Sequence, residues 1–296
     1  MIVGKRKTKG EVTFDIVNAL ILLIVCLCML LPVWHMLVVS LSNALAVSRG
    51  EVSFWPVGIN FKAYRALLSN KYIPRSFLNS VVYTVLGTAV NMVMTVLCAY
   101  PLSRKHFYGR NFFAFLIIFT MFFNAGMISN YMVVKTLHLR NTIFAIIFPG
   151  AISVMNMVIM RTFFQGIPQE LYESAYLDGA NDLQILTKIV IPLSTATFAT
   201  LGLFYAVGHW NSWFSALIYL DDQAAMPMQL WMRSVVIEAS TSGFNDYMSK
   251  QEGEYEIIGV SVRYAMVFIA MLPILCVYPF IQKYFVKGVM VGSLKG

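Results

Sequence analysis

Long apolar stretches recur along the chain and alternate with shorter segments that contain the charged residues. Asp, Glu, Lys and Arg are absent from six stretches, at residues 16–48, 76–103, 111–134, 141–160, 189–220 and 264–282. About 20 helical residues cross a hydrocarbon core of about 30 Å, so each stretch is long enough for one transmembrane helix. Strands of a membrane β-barrel would alternate apolar and polar residues over about ten positions, and this chain lacks that pattern. The sequence therefore predicts an all-α integral membrane protein with six transmembrane helices.

The apolar stretches also predict which segments lie outside the membrane. The first and fifth stretches are longer than one crossing requires, so parts of them should continue beyond the hydrocarbon core. Residues 40–75 should lie on the outer side and contain a short helix. Residues 214–262 should form a second outer segment, which ends in the polar tract SKQEGE at 249–254. Because connections of that length are usually functional, we expect this outer segment to have a role of its own.

Composition indicates that the chain is solvated by lipid. Hydrophobic residues make up 58% of the sequence, charged residues make up 12%, and the mean hydropathy is +0.70. About a quarter of the residues in a soluble domain are charged. The formal net charge of +8 would by itself fit a nucleic-acid partner. The basic residues, however, lie in short segments beside the apolar stretches, where they orient membrane proteins, so we exclude nucleic acid as a partner.

The distribution of basic residues predicts the orientation of the chain. Six crossings put both termini on one side, and the N-terminal tail contains the run KRKTK at residues 5–9. Lys and Arg are also dense in the short loop 101–106, PLSRKH, on that same side, which indicates the cytoplasm. Although ALA at 44–46 resembles a signal-peptide cleavage site, the apolar run 16–39 is too long for a signal peptide. We predict an uncleaved, multi-pass protein of the cytoplasmic membrane.

Cysteine and histidine predict neither a disulfide framework nor a metal site. The cysteines all lie in apolar stretches, and no two of them have the two-residue spacer of a redox or zinc pair. We expect them to be small buried apolar residues. The histidines are scattered and contain no pair spaced four apart on a helix. These residues are Cys26, Cys28, Cys98, Cys276, His35, His106, His138 and His209.

The sharpest departure from the apolar pattern is the segment ELYESAYLDGANDLQILTKIVIPLS at residues 170–194, between the fourth and fifth spans. Four of the chain's 14 acidic residues lie between positions 170 and 182. Pro168 fits the first turn of a helix, where its missing N–H costs nothing. Glu170 and Glu173 then place negative charge near the positive end of that helix. The segment thus begins with a short helix outside the membrane, on the cytoplasmic side.

The same segment contains signals for a turn and a second helix. Gly179 can adopt the left-handed conformation that commonly ends a helix. Asn181 or Asp182 can cap a second helix, which should begin at Leu183 and run into the fifth span. The pattern therefore predicts a helix–turn–helix that stays out of the lipid.

Side chains of the first of these two helices suggest a surface for a partner. Leu171, Ala175 and Asp178 fall on one face, and Tyr172 and Tyr176 lie beside them. A helix with a mixed acidic and aromatic face suits a groove in another protein. The residues alone leave two alternatives open, a docking helix or a solvated connector with ordinary caps.

The spacing within this segment resembles a known motif. The permease subunits of bacterial ABC importers that use a separate solute-binding protein contain the pattern E-A-A-x₃-G-x₉-I-x-L-P. This chain has ESA at 173–175, then Gly179 after three residues, and IVIP at 189–192 after nine more. Ser174 and Ile191 depart from the pattern, each conservatively in size. The position after the fourth of six predicted spans also agrees with that family.

Further stretches resemble one branch of this family, the carbohydrate permeases similar to the smaller subunit of the maltose importer, and in particular the lipoprotein-linked polysaccharide permeases. The resemblance covers residues 75–296 and, more loosely, the first span. The stretches that carry it are PGAIS at 149–153, MRTFF at 160–164, HWNSWF at 209–214, LPIL at 272–275 and KYFVKGVM at 283–290.

The resemblance implies a type I ABC permease fold and a mechanism. Two related permeases would form the path for an oligosaccharide or polysaccharide fragment, and two ATPase subunits would bind ATP and Mg²⁺. The helix around 168–179 would be the coupling helix, seated on one ATPase, and the 214–262 segment would meet an extracytoplasmic solute-binding protein. Nothing in this sequence resembles a phosphate-binding Walker A loop, so the chain itself should be no enzyme and hold no cofactor. The residues implied in coupling are Glu170, Leu171, Glu173, Ser174, Ala175, Asp178, Gly179, Ala180 and Pro192.

The resemblance also implies boundaries along the chain. A cytoplasmic tail would comprise residues 1–13, and the first span with its outer segment would comprise 14–75. The permease core would extend over 76–290, with the coupling loop at 161–188 and the outer loop at 214–262. Residues 291–296 would form a C-terminal tail.

Polar and aromatic residues within or near the spans are candidates for the substrate path. Sugars are bound by aromatic faces with amide and hydroxyl groups, and polar residues in membranes often serve function. The alternative is that an Asn bonds another helix and that a Trp lies at the lipid interface. The candidates are Tyr83, Asn91, Asn124, Asn156, Trp210, Asn211 and Trp213.

Three other functions fit less well. A permease for another polar solute, such as a phosphate ester or a polyamine, remains an alternative within the same importer class. A secondary transporter would have ionisable residues paired inside its spans, and the centres of the six stretches contain no Asp, Glu, Lys or Arg. A membrane enzyme would need a cluster of His, Asp or Glu, which the pattern does not provide.

Overall fold

A computed structural model describes residues 8–123, 125–238 and 255–293, and all regular structure in these ranges is helical. The chain divides into two compact units, Met1–Asn70 with Val235–Met271, and Lys71–Ser234 with Leu272–Gly296. The 249–254 tract and Asn124 lie outside the described residues, as do the ends of both predicted tails.

The first unit begins with one very long helix followed by two short ones. Thr8 and Glu11 form a reciprocal capping box that begins α1 before the apolar run. The short helices confirm helical structure within residues 40–75, where one helix was predicted and two are present. The helices are α1 (Lys9–Leu41), α2 (Ala44–Ser48) and α3 (Lys62–Ser69).

The second unit contains one long helix and a series of shorter ones. Residues Phe148–Gly150 form a 3₁₀ turn after α7, and Leu186–Val190 form a π turn after α10. The helices are α4 (Ile73–Ser103), α5 (Arg110–Phe122), α6 (Gly126–Thr136), α7 (Phe144–Ile147), α8 (Val154–Gln165), α9 (Gln169–Leu177), α10 (Asp182–Ile185), α11 (Ile191–Leu193), α12 (Thr195–Trp210) and α13 (Phe214–Tyr219). Two further helices, α14 (Met228–Glu238) and α15 (Tyr255–Ser293), contain residues of both units.

The described helices account for the six predicted crossings. Three helical segments, in α1, α4 and α15, are long and apolar enough to cross a membrane singly. Three further crossings result when each pair of helices joined at a sharp bend is taken as one span: α5 with α6, α7 with α8, and α10–α11 with α12. The all-α membrane fold predicted from the sequence is therefore confirmed, and the six predicted spans fit the structure when each bent pair crosses once.

The bends correct the prediction that the apolar stretches are continuous helices. The two halves of the fourth span meet at 54°, just after Pro149 and Gly150. The second helix of the 170–194 segment does not continue straight into the fifth span, because the axis turns by 84° at Ser194. Pro192 cannot donate a backbone hydrogen bond there, and the Ser194 hydroxyl donates to the Val190 carbonyl at 2.6 Å. Such sites interrupt a helix without reducing its hydropathy, so the charge-free windows do not reveal them.

Helix α4 lies at the centre of the second unit and packs against α8 and α12. Its buried face repeats every three or four residues, as an α-helix requires, and consists mainly of small or polar side chains. Small residues let neighbouring membrane helices approach closely, and polar ones can bond across the contact. This face comprises Ser76, Ser80, Tyr83, Gly87, Asn91, Thr95 and Ala99.

Most of α1, in the first unit, is exposed. Side chains from Phe14 to Leu31 are largely accessible, and the most apolar window of α1 buries no residue against the rest of the chain. Cys26 and Cys28 lie on this surface, and Cys276 is also exposed, so the prediction of buried cysteines is wrong for these three. Such an apolar helix can lie against lipid or another membrane protein, because a helix satisfies the hydrogen bonds of its backbone internally.

Candidate functional site

The segment 168–193 folds as the predicted helix–turn–helix, with its ends slightly displaced. Pro168 is the residue before α9 and has an extended backbone, so the helix begins at Gln169. Gly179 has φ +78°, the left-handed conformation that permits the turn. Asn181 caps α10 through a reciprocal box with Gln184, so the second helix begins at Asp182, one residue before the predicted start.

The two faces of α9 have different environments. Tyr172 and Ala175 are buried, 3% and 6% exposed, and belong to the core formed with α4 and α8. The predicted docking face is therefore partly wrong, because Ala175 contacts this chain's own core. Ala180 is half-buried against the same core, and Pro192 is exposed.

The outward face of α9 combines apolar and acidic side chains. Leu177 is 90% exposed, and Leu183 in the following helix is 66% exposed. Exposed leucines beside carboxylates make a surface suited to a protein partner. These two leucines were not among the predicted coupling residues. The predicted ones on this surface are Glu170, Leu171, Glu173, Ser174 and Asp178.

Arg104, immediately after α4, connects that helix to the helix–turn–helix. Its guanidinium carbon lies 3.6 Å from the centre of the Tyr172 ring. A guanidinium Nη2 also donates to the Tyr176 hydroxyl at 3.4 Å, and that hydroxyl donates to the Asp182 carboxylate. The hydrogen bond to Asp182 and burial raise the pKa of Tyr176, and burial raises the pKa of Tyr172, so both phenols are neutral at pH 7.

The sequence reasoning used Arg104 only as an orientation signal and missed this contact. Its distance in sequence from Tyr172 hides the pairing, because only the packing of α9 against α4 brings them together. A second arginine, Arg161 at the end of α8, donates through Nε to the Leu102 carbonyl at 3.0 Å.

The opposite end of α4 is hydrogen-bonded to the segment 224–228. The Asn79 side chain donates to the carbonyls of Ala224 and Met226, at 2.8 and 3.2 Å. The Tyr83 hydroxyl donates to the Ala225 carbonyl at 2.7 Å, and the Met228 N–H donates to the Ser80 hydroxyl at 2.8 Å. Tyr83, a substrate-path candidate, thus uses its hydroxyl to hold this segment.

A second substrate-path candidate, Asn91, makes polar contacts in the middle of α4. Asn91 is 1% exposed; its amide donates to the Gly150 carbonyl, and its carbonyl oxygen is within hydrogen-bond distance of His209 Nε2. Gly87 lies under the same imidazole, where a Cβ would come within 2.8 Å of three ring atoms. Asn91 thus joins α4 to α12 and to the break in the fourth span.

One turn further along α4, a tyrosine makes another polar contact between the helices. The Tyr205 hydroxyl of α12 lies 2.7 Å from the Thr95 hydroxyl and accepts a hydrogen bond from the Ser153 N–H at 3.1 Å. Ser153 also caps α8. The sequence reasoning did not select Thr95, Ser153, Tyr205 or His209; the four-residue spacing from Gly87 through Asn91 to Thr95 was the available signal.

The remaining substrate-path candidates lie in different surroundings. Asn156 is buried near the start of α8, and Trp210 is buried with its ring edge-on to Phe77, 5.8 Å between centroids. Asn211 is exposed and donates to the Val207 carbonyl at 3.0 Å. Trp213 packs against the apolar cluster that contains Tyr83, so the structure brings these two candidates together.

A cation lies over the Trp213 ring. The guanidinium carbon of Arg233, on α14, is 4.1 Å from the centroid of that ring. Among the described residues, no carboxylate forms an ion pair with Arg233. An indole face beside a guanidinium is chemistry that can bind a sugar bearing a carboxylate.

Comparison with known proteins identifies the family. Residues 91–291 match the family described as binding-protein-dependent transport system inner membrane component, and the chain belongs to that family. The polygalacturonan/rhamnogalacturonan transport system permease protein YtcP of Bacillus subtilis is 42% identical over 96% of this chain and 98% of the relative. Protein LplC of the same organism is 39% identical over 98% of both chains.

A solved structure extends the similarity to the fold. A chain of the bacterial ABC transporter involved in the import of the acidic polysaccharide alginate superposes with a TM-score of 0.84, at 34% identity over 95% of this chain and all of that one. The predicted ABC importer permease fold is confirmed by this match.

Proposed function

We propose that this chain is one of two permease subunits in a binding-protein-dependent ABC importer and forms part of the path for an oligosaccharide or polysaccharide fragment. The family match over 91–291 supports the transport class. The observation that supports assembly with an ATPase is the helix–turn–helix at 168–193. Its left-handed Gly179 permits the turn, and its first helix presents an apolar and acidic face to a partner. ATP and Mg²⁺ belong to the ATPase subunits, and this chain supplies the surface on which they act.

The substrate that we propose is a fragment of an acidic polysaccharide. One relative is named for polygalacturonan and rhamnogalacturonan, and the structural neighbour imports alginate. Arg233, half-buried on the Trp213 ring, supports the same class, because a guanidinium favours a carboxylate and an indole favours the face of a sugar ring.

The proposed cycle places both termini and the helix–turn–helix in the cytoplasm. The solute-binding protein would dock on the opposite side, against the outer segment that includes α13 and α14. Closure of the ATPase subunits around ATP would displace α9 and reorient the spans as rigid bodies, so that the path opens alternately to either side.

The first test is purification of the complex followed by transport. The tagged chain should bring down a second, related permease and an ATPase. Vesicles that contain the complete complex and the binding protein should import an oligogalacturonide and exclude a neutral malto-oligosaccharide of the same length. Import of the neutral sugar alone would contradict the acidic substrate, and purification without an ATPase would contradict the importer class.

Two variants test the docking surface. Glu173→Ala removes an exposed carboxylate from α9, and Gly179→Leu places a side chain in a left-handed conformation that costs about 1–2 kcal/mol. Both should leave the two permeases assembled and reduce the ATPase retained in the purified complex. Glu51→Ala, which removes an exposed carboxylate from the first unit, is the matched control. Wild-type ATPase retention in both α9 variants would overturn this role.

A further inference from the structure

We propose that Arg104 is the positioning residue through which movement of α9 reaches α4 and, along α4, the segment 224–228. This inference rests on the proposed function, since it takes α9 as the element that an ATPase moves. It adds a named contact and a route through the second unit.

The surroundings of Arg104 fit a transmitting contact. Its guanidinium carbon lies 3.6 Å from the centroid of the buried Tyr172 ring, and 6.0 and 5.9 Å from the centroids of the Tyr100 and Tyr176 rings. Tyr100 belongs to α4, and the other two tyrosines belong to α9. A planar cation between rings of both helices resists their separation, because rotation or translation of either helix uncovers the guanidinium.

The contact continues into the turn beyond α9. The Tyr176 hydroxyl accepts from the Arg104 guanidinium and donates to the Asp182 carboxylate in the first turn of α10. Arg104 therefore contacts α9 directly and α10 through one tyrosine. A change in the angle between these two helices must either break this chain of hydrogen bonds or move the end of α4.

Helix α4 can transmit such a movement because it is a single helix, in which Pro101 lies in the last turn beside Arg104. It runs for 31 residues from Ile73 to Ser103, whereas the fourth and fifth spans are interrupted. Its far end is hydrogen-bonded to residues 224–228 through Asn79, Ser80 and Tyr83. A displacement imposed at Arg104 therefore reaches a segment at the opposite end of a continuous rod.

The middle of α4 is fixed to its neighbours, which favours movement as one body. Asn91 and His209 join it to α12, and Asn91 also bonds the Gly150 carbonyl at the break in the fourth span. Packed elements joined in this way shift together between discrete arrangements.

The experiment uses the complete complex in lipid vesicles, with the binding protein and an oligogalacturonide. The variants are Arg104→Gln, which removes the cation, and Arg104→Lys, which keeps the charge without the planar group. Lys105→Gln removes the same charge from the exposed neighbouring residue and is the matched control. Three quantities are measured: ATPase retained in the complex, ATP hydrolysis stimulated by loaded binding protein, and import.

A fourth readout reports on the outer segment. Gln223→Cys, in a background in which the four native cysteines are replaced by serine, places a thiol just before the bonded residues 224–228. Its rate of modification by a membrane-impermeant maleimide is measured with and without ADP–vanadate. In the parent complex, the trapped nucleotide should change this rate, since it closes the ATPases and moves α9.

The Arg104→Gln complex should retain its ATPase and lose import about fivefold or more, the size of a typical coupling between sites. It should also lose the nucleotide-dependent change in labelling at residue 223. Arg104→Lys should be intermediate, and Lys105→Gln should behave as the parent. If the Arg104→Gln protein does not accumulate, the same measurements on Arg104→Lys test the inference. Parent-like import and labelling in the Arg104 variants would overturn the inference. Failure of the parent complex to bind an ATPase or import the sugar would instead overturn the proposed function.

Discussion

At the scale of single residues, Gly87 and His209 fit closely against each other in the second unit. The imidazole of α12 occupies the space that a side chain on α4 would need, so only hydrogen fits at position 87. His209 in turn reaches Asn91 across the same contact. One missing side chain therefore permits the hydrogen bond that joins two spans.

Gly87→Ala should destabilise the chain by about 1–3 kcal/mol, because His209 must move and weaken its bond to Asn91. The matched control is Gly208→Ala, next to the histidine, where a Cβ has no neighbour within 4 Å. Thermal unfolding of the purified complex in detergent measures both. Equal melting temperatures for the two variants would contradict this account of the fit.

At the scale of elements, the hydroxyl of Tyr205 holds three helices together. It lies on α12, contacts Thr95 of α4, and accepts from the Ser153 N–H at the start of α8. Ser153 follows the break in the fourth span, where helical hydrogen bonding is interrupted and backbone groups need other partners. The interruption of that span is thus compensated by a side chain of another span.

Tyr205→Phe should remove the acceptor for Ser153 and leave the Thr95 hydroxyl without this partner, at a cost of about 1–3 kcal/mol. Tyr108→Phe deletes a hydroxyl from a side chain that is 96% exposed and should be neutral. Hydrogen exchange at the start of α8 measures the effect locally. Unchanged exchange in the Tyr205 variant would show that water or lipid replaces the bond.

At the scale of the whole molecule, the number of crossings decides which compartments the two ends occupy. Three single helical segments and three bent pairs, if each pair crosses once, would return the chain to the side from which it started. The basic N-terminal tail makes that side the cytoplasm in our proposal.

A fluorescent protein that matures only in the cytoplasm should therefore fluoresce when fused to either end of the chain. Fusion of a periplasmic alkaline phosphatase after residue 223, in the proposed outer segment, should give an active enzyme. Fluorescence from one terminus only would mean that one of the bent pairs does not cross the membrane. The prediction of six spans would then be wrong.

The sequence by itself determined the lipid environment, the number of spans, the helix–turn–helix after the fourth span and the family motif. These features are local: hydropathy decides a crossing, and caps at Gly179 and Asn181 decide a turn. The motif then pointed to the permease family, which the match over 91–291 confirms. The orientation, the coupling role of α9 and the substrate path remain predictions.

Only the tertiary structure decided which polar residues are partners. The sequence offered Asn91 and Tyr83 as candidates for the substrate path and left open that an Asn bonds another helix. Packing places their polar atoms against Gly150, His209 and Ala225. The sequence indicated only an orientation signal at Arg104, whereas its guanidinium lies over the Tyr172 ring of α9. The physical reason is that apolar character and helix caps act over a few neighbouring residues. A buried hydrogen bond or cation–ring contact instead depends on which distant helices pack together.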